Sequence, residues 1–176
     1  MSVFLALDLD DAVRGEVMSL TSVQRTTVQA KWVSAEKLHL TLVFLGNPDV
    51  AQVKAKLDVH GAPRSLQLHL AGAGTFQTAR APSVLWLDVA GELGRLHELQ
   101  RTLRERLGVE ERQPYRPHVT LARAHSSPTA LDPLAEAFSR FSSSPFEVTH
   151  LTLYESTHHA FHVLHRVVLS TGHVHW

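Results

Sequence analysis

No cysteine occurs among the 176 residues of this chain. Disulfides, thiol catalysis, zinc–thiolate centres and iron–sulfur clusters are thereby excluded, and the composition suits a reducing compartment, with the cytoplasm as the default. No surplus of either charge is present, since 17 Lys and Arg balance 17 Asp and Glu. A protein that tracks a long duplex needs excess positive charge to neutralise phosphates, so any nucleic-acid partner is expected to be met at an end. No apolar run approaches the roughly 18 residues of a membrane span. The opening MSVFLALDLDD carries acids where a signal peptide needs a basic segment. The chain is expected to work away from membranes, as a monomer.

What the sequence does have is histidine, 13 in all, a large supply of groups that exchange protons near neutral pH. The stretch HLTLVFLG (39–46) places His39 and Thr41 two residues apart in an otherwise apolar run, hence on one face of a strand. An unpaired buried polar group costs roughly 1–3 kcal/mol, so two on one face suggest a site. The pattern His-x-Thr-Leu recurs at His118–Leu121, 79 residues on, and again at His150–Leu153. Composition alone predicts about one His-x-Thr in such a chain.

The order of elements selects the pair. VFLALDL (3–9) reads as a strand and DDAVRGEVMSLTSVQ (10–24) as an amphipathic helix capped by Asp10 or Asp11. KWVSAEKLHLTLVFLG (31–46) gives strand signals, PDVAQVKAKLDVH (48–60) a helix, and 65–74 and 82–91 two strands, which completes a first lobe. A helix at 91–108 closed by Gly108, a strand at 118–124, a helix at 128–141 and strands at 146–156 and 161–170 form the second. The chain, residues 1–176, is therefore read as one domain of the α+β class, built of two pseudo-equivalent lobes with no linker between them. His39 and His118 follow a helix at matching places in the two halves, so a pseudo-twofold brings them face to face. His150 has no such counterpart. Continuous alternation over FEVTHLTLYES puts Phe146, Val148, His150, Thr152 and Tyr154 on one face, and a half-exposed sheet position explains His150 structurally.

Two opposed imidazoles flanked by two hydroxyls suit in-line displacement at phosphorus. One ring takes a proton from the attacking oxygen while the other gives one to the leaving oxygen, and near pH 6.5 both states are accessible. Threonine hydroxyls can donate to the non-bridging oxygens. No motif supplies the carboxylates of a magnesium-dependent phosphodiesterase, so neither metal nor cofactor is expected.

FLALDL at 4–9, WVSAEKLHLTLVFLG from Trp32 to Gly46, VLWLDV at 84–89, RPHVTLARA from Arg116 to Ala124 and LTLYES at 151–156 together resemble the two-histidine phosphoesterases. Within them the similarity is to the RNA 2′,3′-cyclic phosphodiesterases of the LigT/ThpR type, also called 2′-5′ RNA ligases. The resemblance implies a bilobal fold, two duplicated α/β lobes with antiparallel sheets around a central cleft. It also implies opening of a 2′,3′-cyclic phosphate at an RNA end to a 2′-phosphomonoester, with a possible reverse ligation of 2′–5′ linkages. His39 would protonate the departing 3′ oxygen, His118 would activate water, and Thr41 and Thr120 would hold the phosphate. Phe44 and Arg123, each five residues after its histidine, would sandwich the terminal base. Strict alternation puts them on the opposite face, so an irregularity in each strand is required. Other substrates left open are small cyclic nucleotides and ADP-ribose cyclic phosphate, and a protein that binds RNA ends without turnover is a further alternative.

The C-terminal segments HHAFHVLH (158–165) and HVHW (173–176) depart from the family in their histidine content. His162 and His165 should point to opposite faces of a strand, which argues for solvated histidines over a metal site. His69 and His97 are expected to be partly buried structural residues.

Overall fold

The structure is a computed structural model and describes residues 2–58, 63–77, 83–127 and 129–170. Strand β1 (Ser2–Asp8) leads into helix α1 (Asp11–Thr27), whose first turn is closed by the Asp10 carboxylate accepting from the Val13 amide at 2.8 Å. Val13, Val17 and Thr21 form the buried stripe of α1. A two-residue strand β2 (Lys31–Trp32), β3 (His39–Gly46), α2 (Val50–Asp58), β4 (Leu66–Phe76) and β5 (Ser83–Gly91) follow. Then come α3 (Leu93–Arg106), β6 (His118–Ala124), α4 (Asp132–Ala137), β7 (Phe146–Val148), β8 (His150–Ser156) and β9 (Phe161–Val168). Helix α3 buries Leu96, Leu99 and Leu103 at helical spacing, and Gly108 beyond it takes a left-handed φ of 69° that ends the helix. Among the described residues, no helix is long and apolar enough to cross a membrane.

The strands form two antiparallel sheets, β3-β1-β8-β9 and β2-β6-β5-β4-β7. This corrects the expected division of the chain. Residues up to 91 do not build one lobe: β4 and β5 belong to the second sheet, and the first is completed by β8 and β9. Both central strands, VFLALD in β1 and VLWLDV in β5, are apolar on both faces, and each therefore sits between two partners instead of at an edge. Leu5, Leu7, Leu40, Leu85, Leu87, Leu96 and Leu153 are fully buried in one apolar cluster that spans both sheets. Each such side chain contributes about 1.5–3 kcal/mol.

The expected strand at 146–156 is two strands in different sheets. Phe146 and Val148 pair with Leu68 and Leu66, whereas Leu151 and Leu153 pair with Leu7 and Leu5 of β1. The crossing occurs at exposed Thr149, so the face proposed to run from Phe146 to Tyr154 does not exist. The helix expected at 128–141 shrinks to six residues, opened by Asp132 and Pro133.

The two halves repeat a register as well as a motif. In the first sheet Asp8 lies opposite His39 and Ala6 opposite Thr41; in the second Asp88 lies opposite His118 and Trp86 opposite Thr120. Both pairs then slip by one residue, at Leu42 between Thr41 and Val43 and at Leu121 between Thr120 and Ala122. These are β-bulges at equivalent positions.

Candidate active site

The bulges decide where the side chains point. Leu38, Leu40 and Leu42 are buried on the core side of β3, leaving His39 and Thr41 on the opposite face. Leu42 and Val43 are then both buried, which resets the alternation and returns Phe44, 67% exposed, to the face of His39. Strand β6 does the same: Leu121 and Ala122 are both buried and Arg123 is exposed beside Thr120. The irregularity that the spacing required is thus present in both strands. The carbonyls at the bulges find partners outside their own pairings, with Gln100 Nε2 donating to Leu42 at 3.4 Å and the Val33 amide to Leu121 at 2.8 Å.

Each imidazole is oriented by the carbonyl two residues before it. His39 Nδ1–H donates to Lys37 at 2.6 Å, and His118 Nδ1–H to Arg116 at 2.7 Å. Nε2 is thereby left as the reactive nitrogen in both rings. His39 Nε2 lies 2.8 Å from the Thr41 hydroxyl, accepting from it when the ring is neutral and donating to it when the ring is protonated. Aromatic rings wall both histidines. Phe4 and Phe161 lie 5.0 and 5.3 Å from the His39 ring, and Phe76 meets His118 edge-on at 5.0 Å, with Trp86 at 6.2 Å. Trp86 lies so close over Gly74 that a Cβ there would stand 2.5 Å from the indole. Cations cover the outer rings, Lys37 over Phe161 at 5.3 Å and Arg116 over Trp86 at 4.9 Å.

Burial is the main influence on both imidazoles and holds each below the ordinary histidine value. The Lys37 carbonyl and Asp8 oppose it at His39, while Arg14 and His118 add to it. At His118 the Arg116 carbonyl opposes burial most, Arg123 and Arg116 reinforce it, and Asp88 opposes it. The two histidines are near enough to feel each other's charge. Tyr115, on the approach to β6, donates its hydroxyl to the Thr41 carbonyl at 2.7 Å and ties the two motif strands together. Burial raises that phenol far above its usual range, so it remains a donor.

His39, Thr41 and Phe44 thus share one strand face, and His118, Thr120 and Arg123 share the corresponding face of β6. His150 stands at the start of β8, half-buried, with its Nδ1 2.8 Å from the Thr149 hydroxyl. The slip in β8–β9 pairing places His162 opposite Glu155 and His165 opposite Leu153, hence on one face of β9, contrary to strict alternation. They do not converge on a metal. His165 Nε2 pairs with Asp58 at 2.9 Å and His162 lies 3.4 Å from the Thr157 hydroxyl. Among the described residues, no group of three or more His, Cys, Asp or Glu is placed to hold an ion. HVHW lies outside the described residues. His69 is half-buried as expected, but His97 is exposed on α3, its ring 5.7 Å from that of Tyr115.

Sequence reasoning missed Asp8 and Asp88, which end the apolar strands facing the motifs. Their signal was available, since Leu-Asp closes the apolar run in both FLALD and LWLD. It also missed Thr152 and Tyr154, whose hydroxyls donate to the two oxygens of Asp8, Thr152 at 2.8 Å.

Comparison with known proteins adds independent findings. Residues 9–160 match the model of the 2′-5′ RNA ligase superfamily. The RNA 2′,3′-cyclic phosphodiesterase of Thermotoga maritima is 30% identical over 166 residues, covering 89% of this chain and 87% of that one. The protein of the same name from Escherichia coli is 29% identical over 88% of this chain and 86% of its own. The crystal structure of E. coli LigT complexed with phosphate superposes with a TM-score of 0.73 at 26% identity, covering 96% of this chain and 97% of that one.

Proposed function

The chain belongs to the 2′-5′ RNA ligase superfamily, and from this we infer that it is an RNA 2′,3′-cyclic phosphodiesterase acting through His39 and His118. The observation that carries the assignment of residues is the repeated register: two His-x-Thr segments, each opposite an aspartate, each followed by a bulge that returns a fifth residue to the histidine's face. Residues 1–176 act on this reading as one domain, a cytoplasmic monomer that takes RNA ends or nucleotides bearing a 2′,3′-cyclic phosphate and not long duplexes.

Water attacks phosphorus in line with the 3′ oxygen. His118 Nε2 removes the water proton as the new P–O bond forms, and His39 Nε2–H donates to the 3′ oxygen as the P–O3′ bond breaks. The product is a 2′-phosphomonoester with a free 3′ hydroxyl. Thr41 and Thr120 donate to the non-bridging oxygens, so the charge developed there is met by hydroxyls and by the imidazolium without calling on a metal. Phe44 and Arg123 flank the terminal base, where stacking contributes roughly 1–3 kcal/mol without reading sequence.

Activity is expected to survive excess EDTA, and kcat/KM to follow a bell-shaped pH profile. Its rising limb reports the base and its falling limb the acid, and since burial lowers both histidines, both limbs should lie on the acid side of about 6.5. A requirement for added divalent metal, or a falling limb well above neutrality, contradicts this mechanism. Phe44→Ala and Arg123→Ala should raise KM more than they lower kcat, as expected when binding is lost equally from ground and transition states. Steady-state kinetics with unchanged KM for both variants would remove the base sandwich.

A further inference from the structure

The two halves of the site match in their motif strands but not in what stands behind the aspartates. Asp8 and Asp88 occupy the same register position, opposite His39 and His118. Next to β1, strand β8 contributes the third His-x-Thr-Leu segment, whose register sets Thr152 opposite Ala6 and Tyr154 opposite Phe4, on the face that carries Asp8. Fully buried Thr152 donates to Asp8 Oδ2 at 2.8 Å and Tyr154 donates to Oδ1. Both carboxylate oxygens are therefore held. In the other sheet the place beside Asp88 is taken by Gly72, whose position lies 3.9 Å from the Asp88 Cβ when a Cβ is placed on it. Among the described residues, no hydroxyl donates to Asp88. One oxygen accepts from the Val89 amide at 2.9 Å and the other meets the exposed Arg116 guanidinium at 3.3 Å, which offsets its charge.

We propose that Asp8, clamped by Thr152 and Tyr154, is a positioning residue that fixes His39, and not His118, as the proton donor of the pair. This rests on the reading of the two histidines as acid and base. Two bonds hold the Asp8 carboxylate in place opposite His39, so that it cannot turn away to solvent, whereas the equivalent carboxylate opposite His118 is paired with Arg116. An imidazolium is thereby favoured on the β3 side and a neutral imidazole on the β6 side. Among the described residues, the other charged and titratable groups around His39 are Arg14 from α1, His118 from β6 and Lys37 just before β3. Around the clamp are Arg166 from β9, which acts on Tyr154, and His150, two residues before Thr152 on the same strand. Burial and Asp8 push the Tyr154 phenol up to about 12, so it stays a donor throughout the working range. The third copy of the motif thus acquires a role through its threonine, with its histidine outside the reaction.

The test is an NMR titration of the His39 and His118 ring signals in the substrate-free protein, alongside the pH profile of kcat/KM, for Asp8→Asn, Thr152→Val, Tyr154→Phe and Thr152→Ser. Asp8→Asn should move the His39 titration to lower pH and leave His118 in place. The falling limb should move the same way, with roughly three- to tenfold lower kcat/KM at neutral pH, because less of the donor is protonated. Thr152→Val and Tyr154→Phe release one oxygen of Asp8 towards solvent, and should shift His39 in the same direction by less. Thr152→Ser keeps the hydroxyl and should behave as wild type. A His39 titration unmoved in Asp8→Asn, or a shift in His118 instead, overturns the proposal. Because the titration is read without substrate, it stands apart from whether the wild-type protein opens a cyclic phosphate at all.

Discussion

His39→Ala and His118→Ala are each expected to lower kcat/KM on a 2′,3′-cyclic phosphate by at least the roughly 10²–10⁴-fold that a positioned proton-transfer group supplies. The double variant should lose little more than either single one. Acid and base act in the same displacement, so once one proton transfer is gone the other has no concerted partner, and the two losses are far from additive. His150→Ala is the internal control, since it carries the same local sequence. It stands at the start of β8, outside the pair of motif strands, with its Nδ1 against the Thr149 hydroxyl. Its kcat/KM should stay within a few-fold of wild type, with any effect confined to thermal stability. Circular dichroism establishes that every variant is folded before rates are compared. Inactivity of His150→Ala with activity retained in His118→Ala would mean that the wrong strands had been paired.

The second large effect is on stability. Gly91 ends β5 at a φ of +110°, and a Cβ placed there would stand 2.6 Å from the Gln67 carbonyl oxygen and 2.9 Å from the Leu68 Cα. Both obstacles are backbone of β4 and cannot swing aside as a side-chain tip would. Gly91→Ala therefore combines an unfavourable φ with a clash, together about 2–4 kcal/mol. For a chain of this size that corresponds to a Tm lower by about 5–15 °C. Scanning calorimetry reads it, and a Tm within about 2 °C of wild type would show that β4 can yield there. By contrast, a Cβ on Gly94, the second residue of α3, meets nothing within 4 Å, and Gly94→Ala should be neutral or stabilising.

Elements with one unbroken period were legible in the sequence. The stripe of Leu96, Leu99 and Leu103 marked α3, the pair Asp10 and Asp11 marked the start of α1, of which Asp10 is the cap, and the alternation around His39 and His118 placed both motifs on strands. What could not be read was set by pairing, which has no local signature. Nothing in VFLALD or VLWLDV says which edge receives which neighbour, so the exchange of β4 and β5 against β8 and β9 between the sheets was invisible. FEVTHLTLYES kept its apolar alternation through a change of sheet at Thr149, and was read as one strand for that reason. The site was legible to the same depth. The histidines and threonines announced themselves as polar intrusions in apolar strands. The faces of Phe44 and Arg123 depended on bulges at Leu42 and Leu121, residues whose identity differs in no way from an ordinary strand leucine. Asp8 looked like the polar end of a strand until its register opposite His39 and its bonds from Thr152 and Tyr154 were known.

An oligoribonucleotide ending in a 2′,3′-cyclic phosphate, incubated with the wild-type protein in excess EDTA and followed by ³¹P NMR, puts the chemistry of His39 and His118 to trial in one spectrum. Protonation of the 3′ oxygen by His39 and attack of water activated by His118 require that the cyclic signal be replaced by a 2′-phosphomonoester. Accumulation of the 3′-phosphomonoester, or a cyclic phosphate that persists until divalent metal is added, would contradict it.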